Sequence, residues 1–181
     1  MIHHYDIDFK DTQYDEFFKD KYRIRSKKTQ LRVFESYTDI LAIMFSSFAY
    51  ICFSLKNNNK KTEKRFTEYY VRILENVKTN VIHTVSNIMN HYTCESFCGF
   101  QEDTHIFSYY VCKAALMYNY RDFLGWLRND IVLNDVRVHE YVKRLDSYLS
   151  NEDFQKEVNL QIKKGTRDTS LRMFMYHLKG M

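Results

Sequence analysis

Apolar and polar positions follow helical steps along most of this chain. Phe66, Tyr70, Ile73, Val77, Val81, Val85, Ile88 and Tyr92 recur three and four residues apart, with Glu68, Arg72, Glu75 and Asn76 on the opposite face. This is the strongest periodic signal, and it predicts one long helix opening at Thr62, a residue suited to the N-cap, with Glu63 in the first turn. Upstream, Asp11 or Thr12 opens a short helix to about Tyr22, and a second is expected from Thr29 to Leu55. The second has a one-sided apolar pattern through Leu31, Phe34, Tyr37 and Leu41. From Ile40 to Leu55 it is apolar on nearly every side, which predicts a central helix surrounded by its siblings. The run is shorter than the roughly twenty residues of a membrane span and contains Ser46, Ser47 and Ser54, so no membrane is expected.

Downstream, Asp103 or Thr104 can cap a helix to about Arg128 that buries Ile106, Tyr109, Tyr110, Ala114, Met117 and Phe123. Asn134 or Asp135 opens another with Val138, Tyr141, Val142, Leu145, Tyr148 and Leu149 at clean helical spacing. Ser150 followed by Asp153 resembles a capping box for a sixth, carrying Phe154, Val158 and Ile162 and stopped by Lys163-Lys164-Gly165. A last short helix over 169–179 would show Leu171, Phe174 and Leu178. At the other end, Tyr5-Asp6-Ile7-Asp8-Phe9 alternates as a short extended segment does. The expected fold is therefore all-α: a single domain over residues 1–181, a bundle of six or seven helices around a central apolar helix.

Composition supports this class and restrains its interpretation. No Pro and four Gly leave little material for the tight turns of a sandwich or barrel. At 45% hydrophobic residues, 181 residues are enough for a core and too apolar for a disordered chain. The 15 Tyr, 14 Phe and 7 Met, with abundant Ile, Asn and Lys and scarce Ala, are the skew of AT-rich codons, frequent in viruses, phages and mobile elements. Aromatic abundance alone therefore marks no site. Four cysteines (Cys52, Cys94, Cys98, Cys112) without a secretory leader point to a reducing, cytoplasmic setting rather than disulfides.

The net charge of +4 is concentrated at the C-terminus, where Lys156, Lys163, Lys164, Arg167, Arg172 and Lys179 outnumber Glu157 and Asp168. A second basic cluster contains Lys21, Arg23, Arg25, Lys27 and Lys28, and a third spans Lys56–Arg65. Arg23, Arg25, Lys27, Lys28, Lys163, Lys164 and Arg167 are thus the candidate contacts of a nucleic-acid-binding module.

Two sets of residues could hold a metal. His91-x2-Cys94-x3-Cys98-x6-His105 combines soft thiolates with imidazoles, the donors of tetrahedral zinc, across a connection between two helices. His3, His4, Asp6 and Asp8 gather oxygen and imidazole donors near the start, without a third acidic ligand at a recognisable spacing.

Arg172 and His177, in Leu171-Arg172-Met173-Phe174-Met175-Tyr176-His177, form an Arg-x4-His pair. The pair resembles the Arg-x4–6-His motif of the HEPN ribonucleases. That resemblance implies an all-α fold and metal-independent RNA cleavage, with Arg172 holding the phosphate and His177 moving a proton at a ribose 2′-hydroxyl in a site shared by two subunits. Met173 stands where the family often has a polar residue. Bcl-2-like proteins also wrap an apolar helix in amphipathic ones, but their Asn-Trp-Gly-Arg signature is missing here, and Trp126 sits in Gly125-Trp126-Leu127-Arg128. No phosphate-binding glycine loop, nucleophile elbow, His-Glu-x-x-His motif or dinucleotide fingerprint occurs. The leading expectation is a non-enzymatic interaction protein of viral, phage or mobile-element type that binds a host macromolecule. Another protein is the favoured partner, and a homodimer is compatible with it. A HEPN-like ribonuclease and a basic nucleic-acid-binding module are the alternatives.

Overall fold

A computed structural model describes residues 11–26, 30–55, 62–91, 97, 99, 101–102, 105–128 and 130–163. They form an all-α bundle. Seven α-helices succeed one another: α1 (Asp11–Tyr22), α2 (Glu35–Leu55), α3 (Thr62–His91), α4 (Lys113–Tyr118), α5 (Tyr120–Leu127), α6 (Asp135–Leu149) and α7 (Glu152–Lys163). A π-helical stretch, Phe107–Cys112, leads directly into α4. The strand structure among the described residues is a two-residue parallel pairing of Arg25 with Gln101 and Ser26 with Glu102.

The long helix α3 organises the packing. It meets α2, α4 and α7, while α4 also rests on α2 and α6. Its buried side contains Ile73, Val77, Val85 and Ile88 of the stripe read from the sequence and widens it with Leu74, Ile82 and Met89, while Phe66, Tyr70 and Val81 are half-buried. α6 buries Val138, Tyr141, Val142, Leu145, Tyr148 and Leu149, the residues expected from spacing alone. An amphipathic helix places i, i+3, i+4 and i+7 on one side, so a clean pattern of this kind leaves one way to pack.

Four departures from the sequence reading have local physical causes. α2 starts at Glu35, six residues later than expected. The peptide N–H groups of Leu31, Arg32 and Val33 instead donate to the buried Asp15 carboxylate of α1, at 2.6, 3.0 and 3.3 Å, and Arg32 takes a left-handed φ of 59°. The left-handed φ of Arg32 is incompatible with a right-handed helix, and with the Asp15 carboxylate holding these amides the helix opens only after them.

The helix expected over 104–128 begins with the π-helical turn. The wider turn shifts the face, so that Phe107, Ser108, Val111 and Cys112 are buried while Ile106, Tyr109 and Tyr110 are partly exposed. The same helix breaks at Asn119, which leaves helical geometry (φ −100°, ψ 24°) and whose side-chain amide donates at 2.9 Å to the Ala115 carbonyl, an acceptor it shares with its own backbone N–H at 3.2 Å. At α7 the cap is Asn151 rather than Ser150, since Asn151 Oδ1 accepts from the Phe154 N–H at 3.0 Å. The fourth departure concerns the surroundings of α2 and creates the surface described next. The expected N-terminal extended segment and the helix expected over 169–179 lie outside the described residues.

Candidate interaction surface

The sequence of α2 is apolar nearly all round, but its environment is not. One side faces the core with Tyr37, Ile40, Leu41, Met44, Ser47, Ile51 and Leu55. The other is open: Phe45 is 51% exposed, Phe48 50%, Tyr50 36% and Phe53 75%, with Ala42, Ser46 and Cys52 exposed between them. The expectation of a helix enclosed on every side is therefore corrected. Among the described residues, helices α3 and α4 and the π-helical stretch cover one face of α2 and leave the other uncovered. By length and composition Glu35–Leu55 would also suffice to cross a membrane.

The exposed arc carries no charged side chain from Ile40 to Leu55. With a Phe or Tyr side chain worth roughly 200 Å², the four exposed rings present on the order of 400 Å² of largely apolar area. That is within the range of the largest patch on a soluble monomer, where such patches are often binding sites. The patch is structured at its edge. Phe48 meets Phe66 of α3 edge-on at 5.1 Å between ring centroids, and Phe66 stacks on Tyr70 at 6.0 Å. The Tyr70 hydroxyl reaches the Met44 carbonyl at 3.4 Å, and burial pushes its pKa up. Ser46, the polar residue inside the arc, donates its hydroxyl to the Ile43 carbonyl at 3.1 Å, so its polarity is partly absorbed by its own helix.

Charge sits at both ends of this arc. Near its start Lys113 and Asp39 form an ion pair at 2.9 Å. Near its end Lys64 and Arg65 are exposed in the first turn of α3, beside Phe66. A second, smaller apolar group lies on the α5–α6 connection and the first turn of α6, where Ile131, Val132 and Val136 are 48%, 65% and 69% exposed. Beneath it, Arg137 stacks 4.1 Å from the Trp126 ring and the Trp126 indole N–H donates to Glu140 at 2.9 Å. The Tyr37 hydroxyl holds the connection by donating to the Ile131 carbonyl at 2.6 Å, and its pKa is pushed up to about 12 by burial.

The charged residues singled out from the sequence are only partly in view. Arg23 and Arg25 are exposed just after α1, Arg23 with a left-handed φ of 50°, and Lys163 is exposed at the end of α7. Lys27, Lys28, Lys164 and Arg167, and with them Arg172 and His177, lie outside the described residues. Of the zinc candidates, His91 is exposed at the end of α3 and His105 is half-buried beside Tyr109, 6.5 Å between ring centroids. Cys94 and Cys98 are outside the described residues, as are His3, His4, Asp6 and Asp8. Among the described residues no group of three or more His, Cys, Asp or Glu side chains comes together as a metal site. Cys52 is exposed and Cys112 buried.

Sequence reading missed the openness of Phe45, Phe48 and Phe53. The signal for Phe45 and Phe53 was the step of three and four through Ala42, Phe45, Ala49 and Phe53, which is masked by equally apolar residues on the opposite face. Comparisons with protein-family models, with curated proteins and with solved structures found no match for this chain.

Proposed function

We propose that this chain is a non-enzymatic helical interaction protein, encoded by a virus, phage or mobile element, that binds another protein through the open face of α2 and thereby modulates a host process. One observation carries the reading: Phe45, Phe48 and Phe53 are each at least half exposed on a helix whose other side is packed into the core. Large aromatic side chains on an uncharged surface are the kind of anchor that dominates protein interfaces once water is excluded from them. The ring contacts from Phe48 through Phe66 to Tyr70 make part of this surface preorganised, which lowers the ordering cost of binding. The skewed composition and the absence of any catalytic signature in the sequence favour the same class.

The test is cross-linking mass spectrometry on the full chain in cells that naturally produce it, comparing wild type with the double variant Phe45→Asp, Phe53→Asp. Both positions are exposed, so the bundle should keep its helical circular dichroism. Cross-links to other polypeptides from residues flanking α2 should disappear in the variant. An unchanged set of cross-linked proteins would refute the assignment.

A further inference from the structure

The open face of α2 has a geometry that selects among protein partners, and on the interaction reading above we infer that in the free chain, before any host protein takes the face, its occupant is a second copy of this chain, paired antiparallel along α2. Ala42, Phe45, Ala49 and Phe53 recur at steps of three and four, with Cys52 three residues after Ala49, and form one seam along the helix. A two-fold axis through Ala49 makes this seam complementary to itself. Ala49 faces Ala49 of the partner subunit, and the small side chains let the two helices approach closely at the crossing. One step outward, Phe45 meets Phe53 of the partner subunit, and Ser46 lies beside Cys52 of the partner subunit. The Ser46 hydroxyl is already bonded to the Ile43 carbonyl, so it enters the interface with a partner in place.

Charge sets the direction. Lys64 and Arg65 are exposed at the end of α2, close to Phe48 by way of Phe66, and Lys56, Lys60 and Lys61 precede them in the chain. Parallel pairing would bring the two basic ends together. Antiparallel pairing separates them, sets each toward the end where Glu35 and Asp39 are already paired with Arg32 and Lys113, and opposes the two helix dipoles. The area is consistent as well. Two faces of roughly 400 Å² give on the order of 800 Å² from four kinds of ring alone, and Ala42, Ala49, Cys52 and Phe66 carry the total toward the 1,000–1,200 Å² or so at which specific interfaces begin.

The experiment measures the mass of the full chain in solution by light scattering on a sizing column, from about 1 to 100 μM, under reducing conditions. Wild type should run as a dimer, and Phe45→Asp, Phe53→Asp as a monomer with unchanged circular dichroism, its dissociation constant raised at least 100-fold. Direction is read by mild oxidation. Ala49→Cys in a Cys52→Ser background should give a covalent dimer on a non-reducing gel, whereas Cys52 alone should give far less. Preferential cross-linking through Cys52 would overturn the antiparallel arrangement. A wild-type chain that is monomeric at 100 μM overturns the inference. If that monomer still captures another protein through Phe45 and Phe53, the proposed function survives. If it instead floats with vesicles of phosphatidylserine and phosphatidylcholine in a manner that depends on Phe53, the proposed function fails too.

Discussion

Replacing Asp15 with Ala removes the side chain that accepts all three amides at the entry to α2. The Asp15 carboxylate is fully buried and accepts the N–H groups of Leu31, Arg32 and Val33. Leu31 and Val33 are themselves buried, so in the variant two amides lose their acceptor where water cannot replace it, at a cost of about 1–3 kcal/mol each. The Arg32 amide belongs to an exposed residue and can turn to water at little cost. The net loss should be about 3 kcal/mol. For a chain of this length that lowers Tm by about 10 °C in a thermal melt followed by circular dichroism.

The pH dependence supplies a second reading. Burial raises the Asp15 carboxyl pKa above its ordinary value even though the three amides pull it down. A value higher in the folded state than in the unfolded chain means that this group's contribution is fully present below the unfolded value and falls as pH rises through the folded one. Wild type should therefore gain stability relative to Asp15→Asn as pH is lowered from neutral toward about 4, the region of the ordinary carboxyl value. A Tm loss of less than about 3 °C for Asp15→Ala, or a wild-type advantage over Asp15→Asn that shrinks on acidification, would refute the account of the cradle.

Other positions test the remaining structural claims. Arg32 holds a φ of 59°, so Arg32→Gly should relieve strain and stabilise the fold by about 0.5–1 kcal/mol, raising Tm by a few degrees. Its ion pair with Glu35, at 3.9 Å, is too weak at a half-exposed guanidinium to offset that gain. Tyr141→Phe removes a buried hydroxyl 2.8 Å from the Ser36 hydroxyl and should cost about 1 kcal/mol, seen as a lower midpoint in urea with unchanged slope. If the resemblance of Arg172 and His177 to the HEPN motif reflects activity, purified protein should cleave RNA in the presence of a chelator, and His177→Ala should abolish cleavage. Inactive wild-type protein would remove that reading.

The parts of the fold that could be read in advance share one property: their apolar residues occupy a single face. α3 and α6 have such faces: α6 buries the residues its spacing marks, and α3 buries Ile73, Val77, Val85 and Ile88 of its stripe while Phe66, Tyr70 and Val81 are half-buried. Caps were less secure. Asn134 acts as expected, accepting from the Arg137 N–H at 3.0 Å, but at α7 Asn151 displaces neighbouring Ser150 because either can serve and tertiary packing selects between them. The late start of α2 could not be read, since it depends on a carboxylate sixteen residues away from the first amide it accepts. The π-helical turn and the break at Asn119 are likewise small rearrangements of backbone bonding within a pattern that a continuous helix satisfies equally well.

The candidate surface shows the same boundary from the other side. Hydrophobic periodicity determined that the chain is a helical bundle and that Ile40–Leu55 is helical, because backbone bonding and the spacing of apolar residues are local properties carried by each segment. It could not choose the face of α2 that packs, since a helix apolar all round offers equivalent faces and the decision rests on which neighbours arrive. Only the tertiary arrangement of α3, α4 and the π-helical stretch left Phe45, Phe48 and Phe53 facing outward, where burial can be completed by another molecule.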